Sequence, residues 1–236
     1  METLIAVLMY LVVALTLASV IVGARAAARR GKATHRWVIG VSAVLVATLA
    51  ALIALAYSGF FLLRFGELLS PLFLTYMLLV PLAAVWTWKS RNVAAALEAI
   101  PIHRLVAIQT LRIAGGVVVW EYAQGRLPAY FALTVGLGDI LAGVTAPLAA
   151  LWAYKRWSAW RAVVGVWCAY ATADLIHSAI AATLSAKTPI QVLPDIGPAL
   201  GEPPVVLLVV FLVPVAFIWC VATFRRLAQT ADEGTT

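Results

Sequence analysis

Seven apolar runs, each long enough to cross a hydrocarbon layer of roughly 30 Å as a helix, leave this chain little choice of fold. They fall at about 4–23, 37–57, 68–88, 104–122, 128–154, 161–183 and 204–224 of its 236 residues. Inside lipid, backbone N–H and C=O groups must pair within the protein, and a lone apolar segment achieves this only as a helix. With 64% hydrophobic and 11% charged residues, the chain is no ordinary water-soluble domain. The expectation is an all-α integral membrane protein, a single membrane domain of seven transmembrane helices in the cell (inner or cytoplasmic) membrane. The 128–154 run exceeds a minimal span, which predicts tilt or a break near Gly136, Gly138 and Pro147.

Orientation follows from the distribution of Lys and Arg, because basic residues near helix ends are retained on the cytoplasmic side. Arg25, Arg29, Arg30, Lys32 and Arg36 follow the first run, Lys89, Arg91 and Arg104 the third, Lys155, Arg156 and Arg161 the fifth, and Arg225 and Arg226 the last. The alternate connections hold only Arg64, Arg126 and Lys187, with Glu2, Glu67, Glu121, Asp195 and Glu202. This places the N-terminus outside and the C-terminus inside. The net charge of +7 is then mainly a topological signal, suited to the bilayer and its anionic headgroups rather than to nucleic acid. The first run begins Met1-Glu2-Thr3 without a basic leader and is read as an uncleaved span. Cys168 and Cys220 lie within spans, lack a CxxC partner and are read as packing residues.

The third and seventh runs resemble one another. Pro71, Leu74, Leu79, Val80, Pro81, Ala83 and Trp86 recur, at one constant offset, as Pro204, Leu207, Leu212, Val213, Pro214, Ala216 and Trp219. The same offset superposes the fifth and sixth runs on the first and second, so the chain reads as a 3+1+3 parallel repeat. Its parts are a first three-helix repeat over 1–91, a linker and fourth helix over 92–127, a second repeat over 128–226 and a disordered tail over 227–236. The paired prolines predict kinks, and Trp86 and Trp219 are expected to anchor their helices at the cytoplasmic interface.

This layout resembles the topology of SWEET sugar transporters, PQ-loop proteins and opsins. The resemblance stops at the layout, since the chain has no Pro-Gln pair and its seventh run has no lysine to hold retinal. The stretch from Arg126-Leu127-Pro128 through Gly136-Leu137-Gly138-Asp139 to Gly143 and Ala146-Pro147 is similar to a segment of uncharacterised bacterial multi-pass membrane proteins, over about the C-terminal half. That resemblance implies no activity.

Four ionisable residues inside the runs, Arg112, Asp139, Asp174 and His177, carry the functional reading. A charge at mid-membrane costs about 3 kcal/mol or more unless it is paired, solvated or neutralised. Gly136, Asp139 and Gly143 lie at i, i+3 and i+7, so the carboxylate projects from a face thinned by glycine, with Gly138 beside it. Counting 1.5 Å per residue puts Arg112 about 12 Å from the inner end of the fourth run and Asp139 about 16 Å from the outer end of the fifth. Both are near mid-membrane, which predicts an ion pair. Gln109 and Gly116 extend the Arg112 face. In the sixth run Trp167, Tyr170, Asp174, His177, Ser178 and Ala181 share a face. Asp174 and His177 are expected to form a separate, shallower pair able to exchange a proton near neutral pH. Either pair has an equally simple structural role, locking helices in register.

Metal and haem sites are not expected. His35 and His103 lie far in depth from His177, and HExxH and Gly-x-Ser-x-Gly signatures are absent, so no cofactor is predicted. Asn92 to His103 is expected as an interfacial helix ending before Pro101, and Ser185 to Pro203, with four prolines, as a non-helical outer connector. The leading functional expectation is a small permease or exchanger for an unidentified small solute, with proton coupling as an option. The alternatives are a non-transporting membrane subunit or sensor, held by a membrane or cytoplasmic protein partner, and a lipid-modifying membrane enzyme.

Overall fold

Helices follow the apolar runs throughout the computed structural model, which describes residues 2–31, 34–62, 71–90, 93, 95 and 99–232. Helix α1 is Glu2–Arg29, α2 is His35–Tyr57, α3 is Pro71–Lys89, α4 is Ile102–Ala123, α5 is Ala129–Lys155 and α6 is Trp160–Ser185. The last, α7, joins Leu208–Leu212 to Val213–Asp232. All but α3 are long and apolar enough to cross a membrane, making six candidate spans. No strand occurs among the described residues. Arg64, Glu67, Lys32, Arg91 and Asn92 lie outside the described residues, as does most of the interfacial helix expected from Asn92.

The helix boundaries have local causes. Thr34 caps α2, its side chain accepting the Trp37 N–H at 3.2 Å. Pro101 and Pro128 immediately precede α4 and α5, where a residue without an N–H costs nothing. Pro101 therefore opens the fourth helix, and His103 belongs to it. Helix α5 ends with Arg156 in the left-handed region at φ 52°, closing the final turn. Helix α7 continues through Asp232, so residues 227–232, expected as a disordered tail, are helical. Leu227 packs against the core there and extends the helix beyond the apolar run.

Three helices depart from α geometry at mid-bundle. Ile108–Gly115 of α4 is a 3₁₀ segment, while Ala132–Gly136 of α5 and Leu208–Leu212 of α7 are π turns. The break expected near Gly136 is thus present, ending at that residue, whereas Pro147 sits inside a continuous helix. Irregular turns at this depth persist where neighbouring helices surround them.

Glycine sets the α4–α5 crossing. A Cβ on Gly143 would lie 2.6 Å from the Ile113 nitrogen, and one on Gly136 2.7 Å from Val119 Cγ2. Without those carbons the two backbones meet directly, as small residues allow between membrane helices. On another face of α5, Ala142, Ala146, Ala149 and Ala153 repeat at helical spacing and pack with Val164, Cys168, Ala171 and Leu175 of α6. Helix α3 is held to α7 by Arg225, whose Nη1 donates to the carbonyls of Thr87 and Trp88 at 3.2 and 2.9 Å. The Ser185–Pro203 connector is not helical apart from a short turn at Ala199–Gly201, yet it folds into the bundle. Ile196, Ala199 and Leu200 are buried, and the Ile196 N–H returns to the Ser185 carbonyl at 3.2 Å.

The repeated tryptophans occupy different surroundings. Trp86 is 50% exposed and Trp219 only 5%. An interfacial anchor suits the first; the second is a core residue, because α7 is enclosed where α3 is not.

Candidate functional site

The 3₁₀ segment of α4 turns Arg112 into the bundle, where its guanidinium meets two other helices at once. Nε donates to Asp139 Oδ1 of α5 at 2.8 Å, and Nη2 is also 2.8 Å from that oxygen. Nη1 donates to the Ala171 carbonyl of α6 at 2.9 Å, and Nη2 donates to Asp174 Oδ2. Arg112, Asp139 and Asp174 are 6%, 4% and 8% exposed, so this is a buried triad. At such burial an ion pair holds only when its hydrogen bonds are satisfied, and a planar guanidinium serves several acceptors from one position.

The expected Arg112–Asp139 pair is present. The Asp174–His177 pair is not. Asp174 is drawn to Arg112, while half-buried His177, one turn on, forms no hydrogen bond or ion pair with it. Two glycines explain the difference. A Cβ on Gly138 would collide with Asp174 Oδ1, and one on Gly115 would collide with Asp139, so each carboxylate occupies space that any other residue would fill. Ala171 and Asp174, three residues apart, present carbonyl and carboxylate to the same guanidinium.

The supporting residues brace this centre. The Tyr170 hydroxyl donates to the Gly138 carbonyl at 3.2 Å, tying α6 to α5, and Ser178 Oγ donates to the Asp174 carbonyl at 2.8 Å. Gln109 Nε2, one turn before Arg112, donates to the Ala216 carbonyl of α7 at 3.1 Å and lies 3.3 Å from Cys220 Sγ. The Cys168 thiol donates to the Cys220 carbonyl at 3.5 Å, and both cysteines are free. Among the described residues, no group of three or more His, Cys, Asp and Glu is placed to hold a metal ion.

Two small cavities meet at Asp139. One, of about 30 Å³, is lined by Gln109, Arg112, Asp139, Thr16 and Trp219 on the side of the α4 start. The other, of about 40 Å³, is lined by Asp139, Phe131, Ser178 and Leu200 on the side of the Ser185–Pro203 connector. Each has room for about one water. Leu208 and Val213 of α7 border both, forming an apolar partition beside the carboxylate.

A second ionic cluster eluded the sequence reading, which counted its members as outer-side charges. Glu121 is 1% exposed, and Arg126 grips it from both oxygens, Nε to Oε2 at 2.6 Å and Nη2 to Oε1 at 2.7 Å. Glu202 of the connector lies 3.9 Å from Arg126 Nη1, and the guanidinium stands 5.6 Å from the Trp120 ring. The available signal was an acid and a base five residues apart across a helix end.

No curated protein and no solved structure matches the chain. A family model does match, over residues 67–228, a stretch that contains α3 to α6, most of α7, the triad and the lining of the connector-side cavity but neither α1 nor α2. The chain therefore belongs to the family described as Domain of unknown function (DUF8737).

Proposed function

We propose that this protein is a small permease or exchanger of the cell membrane, crossing it seven times with the N-terminus outside, and that the Arg112–Asp139–Asp174 triad is its transport centre for a small solute. The observation that carries this reading is the position of Asp139 between two water-sized cavities that extend toward opposite ends of the bundle. A purely structural ion pair has no use for a carboxylate bordered by a cavity on each side. The 3₁₀ and π turns around it support the same reading, since such irregular turns concentrate at functional sites and give the helices alternative packings. His177 lines neither of these two cavities.

For the topology, α3 has 19 residues, about 28 Å of helix, enough for a seventh crossing. With that crossing the basic residues at successive helix ends alternate, as cytoplasmic retention requires. The 3+1+3 repeat rests on Pro71 and Pro81 of α3, matched by Pro204 just before α7 and Pro214 within it; the two helices pack side by side.

A second reading, a non-transporting subunit whose triad is a lock, is favoured by one observation. The guanidinium has acceptors on all sides and the cavities admit no solute larger than water. Reconstitution separates the two. Vesicles containing the protein and a pH-sensitive dye, subjected to a pH step with a potassium diffusion potential, are expected to show flux that Asp139→Asn and Asp174→Asn abolish. If both variants fold and every detectable flux stays unchanged, the permease reading fails and the lock stands.

A further inference from the structure

Two carboxylates share a single guanidinium in the apolar centre of the bundle, leaving one negative charge too many. Among the described residues, Arg112 is the one cation paired with either acid. The other groups facing the site are neutral donors, the Tyr170 hydroxyl on α6 and Gln109 on α4, with the Cys168 and Cys220 thiols behind them. Helix α7 contributes Leu208 and Val213, and α1 contributes Thr16. Two crowded carboxylates in low dielectric do not both ionise without a second positive charge. A metal cation is a poor candidate for that charge. It needs several oxygen donors, and the cavity walls here are chiefly aliphatic.

We infer that the triad holds one proton, seated on Oδ2 of Asp139, and that this proton is the species the centre exchanges with either side. The exchange half of this inference rests on the permease reading; the bound proton does not. Asp139 is singled out by geometry. Its Oδ1 receives both Arg112 donors, while Oδ2 receives none among the described residues. Oδ2 occupies space left by Gly115, where a Cβ would stand 2.7 Å away. Asp139 lines both cavities, and Asp174 lines neither. Loading is a balanced transfer, in which a hydronium in one cavity gives its proton to the Asp139 carboxylate and leaves water and the neutral acid. Release reverses it toward a water in the other cavity. On the connector side Ser178 lines that cavity, and its own proton is committed to the Asp174 carbonyl. Its oxygen is therefore available as an acceptor to a passing proton donor.

The test is infrared spectroscopy of the purified full chain in lipid nanodiscs, reading the C=O stretch of a protonated buried carboxyl. The wild type is expected to show one such band near neutral pH. Asp139→Glu should move it, as a glutamic acid replaces an aspartic one, and Asp174→Glu should leave it in place. Asp139→Asn and Asp174→Asn should each abolish the band, because either leaves one carboxylate for one guanidinium. These two variants decide the matter if Asp139→Glu does not fold. Absence of the band in the wild type, a band that follows position 174 alone, or one that survives Asp139→Asn overturns the inference. A band without vesicle flux keeps the bound proton and removes the permease reading. Flux without a band does the opposite.

Discussion

The α1–α2 hairpin is the more apolar in sequence, with mean hydropathies of 2.8 and 2.7 over its spanning windows against 1.4 to 2.2 in the α4–α7 bundle, yet it buries less. Only 17% and 11% of the spanning windows of α1 and α2 are enclosed by protein, against 33% to 50% for α4, α5, α6 and α7. The hairpin turns Leu4, Leu8, Leu11 and Leu15 outward and is joined by an exposed hydrogen bond between the Tyr10 and Tyr57 hydroxyls at 2.6 Å. The bundle encloses Gln109, Arg112, Asp139 and Asp174. Hydrophobicity alone does not drive membrane helices together, since lipid is as apolar as leucine. Close backbone contact and polar pairing do so, and they are concentrated in α4 to α7. The family match follows the same division, covering the bundle and leaving out the hairpin.

Substitutions that probe this contrast should grade steeply. The largest effect is expected from Arg112→Met, which strands two buried acids side by side. A loss of about 3–5 kcal/mol, or failure to accumulate folded protein, should appear in thermal scanning of the detergent-solubilised chain. If Arg112→Met melts like wild type, the bundle is not organised around the triad. Next comes Leu200→Ala, which empties the buried side chain above the connector-side cavity and should cost about 2–3 kcal/mol. The same change should increase flux in vesicles if the connector closes that end, and unchanged flux would assign Leu200 to packing alone.

Gly143→Ala places a methyl 2.6 Å from the Ile113 nitrogen and should cost about 2 kcal/mol by forcing α4 and α5 apart. Gly40→Ala in α2 meets nothing within 4 Å, and its melting temperature should remain at the wild-type value. Arg126→Ala leaves Glu121 buried without its bidentate partner, but Arg126 is partly exposed and water can replace it. A loss of about 1 kcal/mol is expected, read as a modest drop in melting temperature. Tyr57→Phe should cost under about 0.5 kcal/mol, because both hydroxyls of that pair are accessible. A larger loss there would show the hairpin to be more firmly bound than its burial implies.

The centre was partly legible. Depth counting along two helices was enough to pair Arg112 with Asp139, because a rise of 1.5 Å per residue converts sequence position into membrane depth. It failed for Asp174, which is one turn from His177 in sequence but turns toward a guanidinium on another helix. Spacing along a helix reports neighbours on that helix only. Glu121 was misread for a related reason. At the end of a helix it counts as a loop charge, and only the approach of Arg126 and Trp120 shows that it is buried and held.

Composition and the length of the apolar runs determined an all-helical membrane protein, since no other secondary structure satisfies a lone segment's backbone in lipid. The glycines at 115, 136, 138 and 143 and the ionisable residues were visible as chemical possibilities. Which acid met which base, which tryptophan was enclosed, and that two cavities converge on Asp139 were settled by tertiary packing. Those outcomes depend on the rotation and approach of whole helices, set by close contacts between residues far apart in the chain.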